Sequence, residues 1–120
     1  MRPFVANGEV WRVVRVAPGD PRLIDRTGVS KLATTDPATR TIHVAGFLRP
    51  PKLDEVLVHE VAHALTISYG LLGGLHGAAG DSIALEEWAA SFMERHGIEA
   101  AALASRSLGR PVCVRGMCID

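Results

Sequence analysis

The residues most able to do chemistry stand together as His59-Glu60-Val61-Ala62-His63, an HExxH pattern. Residues four apart on an α-helix lie one turn above each other, so His59 and His63 would direct their imidazoles at one point. Two neutral imidazoles so placed are half of a zinc site, and Glu60 beside them would take a proton from a metal-bound water. The spacing therefore predicts metal-assisted hydrolysis.

The residues around this motif favour a helix that packs into a core. Apolar residues recur at helical spacing along one face: Leu53, Val56, Leu57, Val61, Ala64 and Leu65. Pro50-Pro51 before this segment, with Asp54 and Glu55 in the first turn, fits the start of a helix. We expect helix from about residue 52 to 69. The alternative, two uncoordinated histidines on a core helix, stays open at this point.

Composition limits the classes of partner. The 120 residues predict a single domain over 1–120, and 13 Lys+Arg against 13 Asp+Glu give a formal charge of zero with no basic stripe. Binding to nucleic acid or to an anionic membrane is therefore not indicated. The start of the chain lacks the apolar block of a secretory signal, and no run of about 18 apolar residues occurs. We expect a cytoplasmic protein that acts on a protein or peptide substrate, with its oligomeric state undetermined.

Strand signals precede the motif helix. Residues 9–17, rich in valine and including Trp11, read as a first strand. Two further strand-like runs, 29–35 and 41–48, flank the turn-forming residues 36–40 and predict a hairpin. The sequence thus predicts an α+β fold with a small, mostly antiparallel sheet of about three strands packed on the motif helix.

The part of the chain after the motif helix contains one more clear helical pattern. Five glycines between Gly70 and Gly80 predict a flexible connection. A second helix begins at Asp81 or Ser82, runs to residue 95 and stops near Gly97. We expect a short helical turn at 98–104 and an extended or frayed tail from about 105.

The two cysteines, Cys113 and Cys118, both lie in this tail. One C-x4-C pair is too little for a structural zinc site, which needs four ligands. We expect two free thiols in a reducing compartment, with a small disulfide across the Arg115-Gly116 turn as the alternative.

A catalytic zinc needs a third protein ligand. The extended metzincin pattern requires glycine at position 66 and histidine at 69, and the chain has Thr66 and Tyr69. A glutamate from the second helix remains, and Glu86 and Glu87 are the candidates. We favour Glu86, because small or flexible residues continue its face of the helix. These residues are Ala89, Ala90 and Met93.

The HExxH pattern, followed one glycine-rich loop later by Glu86, Ala89 and Phe92 at three-residue spacing, resembles minimal gluzincin-type zinc metallopeptidases. This family includes the small intracellular peptidases that cleave phage-type repressors, and the core is similar to that of thermolysin. The resemblance covers residues 29–97. It implies a zincin-like fold with His59, His63 and Glu86 as ligands of one Zn²⁺ and Glu60 as the general base. It also implies that the strand at 39–44 lies at the cleft edge, where it pairs with an extended substrate.

The chain departs from the gluzincin pattern in one respect. Gluzincins place a Tyr or His after the third ligand to stabilise the oxyanion, but the only tyrosine, Tyr69, precedes Glu86. His76 and His96 are possible substitutes. This departure motivates the alternative function: a catalytically weak or inactive zincin-like interaction or accessory module of a phage or mobile element.

Overall fold

Four strands form one mixed sheet. The computed structural model describes residues 1–25 and 27–119; Arg26 and Asp120 lie outside this description. The strands are β1 (Phe4–Ala6), β2 (Glu9–Val16), β3 (Ala33–Asp36) and β4 (Thr41–Ala45), in the order β1-β2-β4-β3. β2 and β4 are parallel, and the other two pairs are antiparallel. The predicted α+β class is confirmed, but the sheet has one strand more than predicted and includes a parallel pair.

The additional strand is β1, which forms a hairpin with β2. Asn7 and Gly8 connect the strands with φ of 47° and 77°. An Asn-Gly pair favours such a left-handed two-residue turn, so the hairpin signal was present in the sequence. Phe4 of β1 is buried and stacks on the buried Trp11 of β2, with ring centroids 6.4 Å apart.

The hairpin predicted around residues 36–40 is confirmed as β3 and β4, paired from Ala33 opposite Val44 to Asp36 opposite Thr41. The strand that the sequence placed at the cleft edge is nevertheless an interior strand. β4 lies between β2 and β3, and all five of its residues are buried. The placement implied by the resemblance was wrong, because β2 pairs with β4 on the side opposite β3 and leaves β4 inside the sheet. The free edge of the sheet on this side belongs to β3.

The motif helix is α1 (Lys52–Ser68), within one residue of the prediction. Its apolar face is buried in the same core as the inward side chains of β2 and β4; this core includes Leu53, Leu57, Val61, Leu65, Trp11, Val13, Ile42 and Val44. At the end of the helix, the indole N–H of Trp11 donates to the Ser68 hydroxyl at 2.8 Å. The sheet and this helix therefore share one core, which fixes the rotation of α1 about its axis.

Three helices and a π-helical turn follow: α2 (Leu72–Ala78), α3 (Ser82–Phe92), the π-helical turn Met93–Gly97 and α4 (Ile98–Leu108). The glycine-rich connection is therefore partly helical. Asp81 caps α3 as predicted, accepting from the backbone N–H groups of Ile83 and Ala84 at 3.0 Å.

The predicted helix end near Gly97 is wrong. Gly97 keeps a helical φ of −63°, so the chain continues from the π-helical turn into α4. What was predicted as a short helical turn at 98–104 is an 11-residue helix. It ends where Gly109 adopts a left-handed φ of 74°, a conformation that glycine adopts without a steric penalty.

Of the two predicted forms of the tail, extended or frayed, residues 112–119 adopt the extended one, whereas residues 105–108 belong to α4. β5 (Val112–Val114) and β6 (Met117–Ile119) pair across the Arg115-Gly116 turn, which places Cys113 directly opposite Cys118. The two cysteines form a disulfide, so the expectation of free thiols is wrong. Val112 is buried in the core. The Ser105 hydroxyl ties the hairpin to α4, because it accepts from the backbone N–H of Val112 and donates to the carbonyl of Ile119.

A buried carboxylate joins the tail to the first turn of α1. Asp54 accepts two hydrogen bonds from the Arg110 guanidinium, at 2.6 and 2.8 Å, and one from the backbone N–H of Cys113 at 2.8 Å. The hydrogen bonds from Arg110 hold the pKa of Asp54 below its ordinary value. The start of the motif helix is thus anchored by residues more than fifty positions later in the chain.

Within the described residues, no single helix is both long and apolar enough to cross a membrane. α1 and α2 taken together meet the length and composition requirements, but a bend of 97° separates them.

Replacing Arg110 by methionine should lower the free energy of unfolding by about 2 kcal/mol. The substitution leaves a buried carboxylate without its charged partner, although the partial exposure of Arg110, 38% of its side chain, moderates the loss. Arg106→Met, at an exposed position in the last turn of α4, is the matched control and should change stability by less than about 0.5 kcal/mol. Urea denaturation measures both, and equal effects would contradict the anchoring role.

The contribution of Asp54 to the free energy of unfolding should also depend on pH. Because its pKa is lowered by folding, its carboxylate stabilises the native state above the unfolded pKa, and this contribution is lost as pH falls through the native pKa. Asp54→Asn should therefore be less stable than the wild type at pH 7, and the gap should narrow below about pH 4. Denaturation curves from pH 7 to 3 test this, and a constant gap would contradict it.

Candidate active site

A cleft of about 870 Å³ lies between α1 and the free edge of β3. Thr35 and Asp36 line it from the strand, and His59, Glu60 and His63 line it from the helix. The whole HExxH triplet of functional side chains therefore faces one cavity. Burial of the opposite face of α1 positions these side chains, because a rotation that hid the histidines would expose the leucines and valines of the core.

The two imidazoles converge as their spacing predicts. His59 Nε2 and His63 Nε2 are 3.3 Å apart, and both side chains are exposed. Two nitrogens that bind one zinc tetrahedrally at about 2.0–2.1 Å are separated by about 3.3–3.4 Å, so the pair has the separation that one ion requires. Between neutral rings, the same separation allows one N–H to donate to the other nitrogen. The pair fits two positions of a metal site.

Glu60 lies beside this pair but points towards the sheet. Glu60 is only 7% exposed, yet it lines the cleft. The Thr35 hydroxyl donates to Glu60 Oε2 at 2.5 Å. The candidate base is therefore held next to the edge of β3 rather than being free in solvent.

The free edge of β3 presents backbone groups to the cleft. The carbonyl of Leu32 accepts from the N–H of Ala45 at 2.9 Å, so these two opposite residues are a hydrogen-bonded pair of the antiparallel ladder. Hydrogen-bonded and non-hydrogen-bonded pairs alternate along such a ladder, so the backbone groups of Thr34 and Asp36 form hydrogen bonds with β4. Ala33 and Thr35 therefore direct their N–H and C=O groups away from β4; Ala33 is buried, whereas Thr35 is partly exposed at the cleft. The edge can therefore pair with an extended peptide.

The structure does not bring the predicted third ligand to the histidines. Glu86 and Glu87 are both exposed on α3, a helix with no buried residue that packs on α2 and the π-helical turn. Within residues 1–25 and 27–119, no three His, Cys, Asp or Glu side chains lie close enough together to hold a metal ion. The described conformation thus supplies two imidazoles that fit a metal ion, but no third protein ligand beside them.

The candidates for an oxyanion donor lie elsewhere. The Tyr69 hydroxyl donates to Glu99 Oε2 at 3.0 Å, and this bond raises the pKa of Tyr69. His96 is buried, with Nδ1 2.9 Å from Glu99 Oε1, and His76 is exposed on α2. The cleft lining includes none of these three.

Two cleft residues were missed by sequence reasoning. His43, treated as an ordinary strand residue, lines the cleft, and burial lowers its pKa, which favours the neutral ring. Thr35 was read only as part of a strand. No local pattern predicts its contact with Glu60, which depends on the register of β3 and on the packing of the sheet against α1.

Comparisons with protein-family models, with curated proteins and with solved structures find no match to this chain. The site must therefore be interpreted from its own geometry.

The imidazole pair should bind one divalent ion. Zn²⁺ added to metal-free protein should bind at about one equivalent by titration calorimetry. His59→Ala and His63→Ala should each weaken binding at least about tenfold, because each removes a direct ligand. His76→Ala is the matched control and should bind as the wild type does. Equal affinity in all four proteins would contradict a site at the pair.

The same titration identifies the third ligand. If Glu86 joins the site when the ion binds, Glu86→Ala should weaken Zn²⁺ binding and Glu87→Ala should not. The reverse result would assign Glu87, and no effect of either would show that α3 supplies no ligand.

Proposed function

We propose that this chain is a zinc-dependent metallopeptidase with a zincin-like arrangement, which hydrolyses peptide bonds in the cleft between α1 and β3. One observation carries the proposal: His59 and His63 converge at a metal-ligand separation beside the Glu60 carboxylate, at a strand edge open to an extended peptide. An imidazole pair, a carboxylate base and a substrate-pairing edge are three of the parts that metal-assisted peptide hydrolysis uses, and a third protein ligand is the fourth.

Each group has a separate role in the proposed reaction. When bound at the histidines, Zn²⁺ supplies a Lewis acid that lowers the pKa of water towards about 7. The backbone of Thr35 aligns the substrate along β3. Glu60 accepts a proton from the attacking water at Oε1, the oxygen that does not accept from Thr35. It then returns that proton to the nitrogen of the leaving amine.

Completion of the proposed zinc site requires α3 to approach α1. The helix has no buried residue, so little apolar packing opposes such a movement. Gly80 at its start adopts a left-handed φ of 86° and belongs to the glycine-rich segment that joins α3 to α1. We therefore retain Glu86 as the favoured third ligand and Glu87 as the alternative.

A second candidate function is an interaction or accessory module that holds a peptide without cleaving it. The observation in its favour is the position of Glu86 and Glu87, which lie on an exposed helix outside the described cleft. The absence of Tyr69, His76 and His96 from the cleft lining agrees with it. Such a module would use the same β3 edge, so peptide binding alone does not distinguish the two functions. Cleavage that depends on Glu60 does.

Glu60→Gln should bind zinc with wild-type stoichiometry and lower the cleavage rate at least about a hundredfold, since glutamine cannot accept the proton. The measurement is mass-spectrometric detection of products from a random-sequence decapeptide library incubated with zinc-loaded protein. Glu55→Gln, at an exposed position of the same helix, is the matched control and should cleave normally.

Loss of zinc together with activity in Glu60→Gln would contradict the assigned role of Glu60. Absence of products from the zinc-loaded wild type would favour the interaction module.

A further inference from the structure

We propose that Thr35 is a positioning residue for the reaction: its hydroxyl holds the Glu60 carboxylate in place while its backbone pairs with the substrate. This inference rests on the proposed peptidase function. It adds that one residue of the sheet both orients the base and sets the register of the substrate.

The contact between the two side chains is short and sheltered. Thr35 Oγ1 lies 2.5 Å from Glu60 Oε2 and 3.4 Å from the backbone carbonyl oxygen of Glu60. Thr35 is partly buried, and Glu60 is almost fully buried. A hydrogen bond to a carboxylate is stronger than one between neutral groups, and burial limits competition from water. The bond is therefore able to select one orientation of the carboxylate.

Glutamate needs such a restraint to act as a base from a helix. Its side chain has three rotatable bonds, and the packing of α1 fixes only the atoms nearest the backbone. With Oε2 accepting from Thr35, Oε1 is the oxygen left for the proton of the attacking water. Misplacement of a reacting group by about 1 Å can slow a reaction about a hundredfold, so this restraint should act on the chemical step.

The backbone of Thr35 serves the substrate at the same time. Side chains alternate between the two faces of a strand, whereas N–H and C=O groups lie in the plane of the sheet. The side chain of Thr35 turns to Glu60 on α1, and its backbone N–H and C=O point away from β4 towards the open edge. A peptide paired opposite Thr35 would thus have its backbone next to the base. Thr35 therefore sets where along the substrate the scissile bond lies.

The test compares Thr35→Val, which keeps the branched shape but removes the donor, with Thr35→Ser, which keeps the donor. The substrate is a single peptide found to be cleaved by the zinc-loaded wild type. Thr35→Val should lower kcat at least about tenfold while KM changes less than about twofold, because its backbone still pairs with the peptide. Thr35→Ser should restore kcat to within about threefold of the wild type.

Thr41→Val is the matched control. Thr41 is a buried strand threonine whose hydroxyl donates to the carbonyl of Thr39 at 3.1 Å, outside the cleft between α1 and β3. Its loss should leave kcat unchanged.

A second measurement uses metal-free protein and requires no activity. In a double-mutant cycle of Thr35→Val with Glu60→Ala, the effects on the unfolding equilibrium constant should be non-additive by about fivefold, because each single change removes the same hydrogen bond. Additive effects would show that the two side chains are not coupled and would overturn the inference.

The remaining outcomes separate this inference from the proposed function. An active wild type with an unchanged kcat in Thr35→Val, or a loss that Thr35→Ser does not restore, overturns the role of Thr35 and leaves the peptidase intact. A wild type no more active than Glu60→Gln on any library peptide overturns the peptidase and the positioning role with it, whatever coupling the metal-free protein shows.

Discussion

The packing of α1 against the sheet is the constraint on which the rest of the structure depends. The helix carries the candidate site on one face and core residues such as Leu57, Val61 and Leu65 on the other. Burial of each such side chain contributes about 1.5–3 kcal/mol, and several together match the whole net stability of a typical domain. One residue of rotation turns the helix by about 100°, which would bury the imidazoles and expose the core. Core packing thus orients the histidines as well as stabilising the fold.

The other side of the cleft depends on the order of the strands. β4 returns between β2 and β3, so among the described residues β3 keeps one side without a strand partner. That side faces the same cavity as the HExxH residues, which brings a peptide-pairing surface and a candidate base together. α3 contrasts with both of these elements, because it contributes no buried side chain and its glutamates stay in solvent. Core packing fixes α1 and β3 on the two sides of the cleft, whereas α3, the helix proposed to complete the metal site, is held by little apolar packing.

Local patterns predicted the parts of the fold that rest on local physics. The 3.6-residue periodicity from Leu53 to Leu65 gave the position of α1, and four-residue spacing gave the convergence of the two imidazoles. α2 forms despite three glycines, whose unfavourable helix propensity had predicted a connection without regular structure. Glycine ends a helix when it adopts a left-handed conformation, and Gly97 does not adopt one. The Thr35–Glu60 contact spans 25 residues and follows from register and packing alone, so no short segment encodes it.

The disulfide in the C-terminal hairpin makes the anchoring of α1 responsive to the thiol–disulfide balance of the surroundings. Cys113, whose backbone N–H donates to Asp54, is also one of the two bonded cysteines. In a glutathione-rich, reducing compartment such bonds are rarely kept, whereas an oxidising one preserves them. Under reduction, the hairpin would lose its covalent link and would depend on its backbone pairing, the burial of Val112 and the hydrogen bonds to Ser105 and Asp54. Oxidant and reductant would thus act on the start of the helix that carries the site.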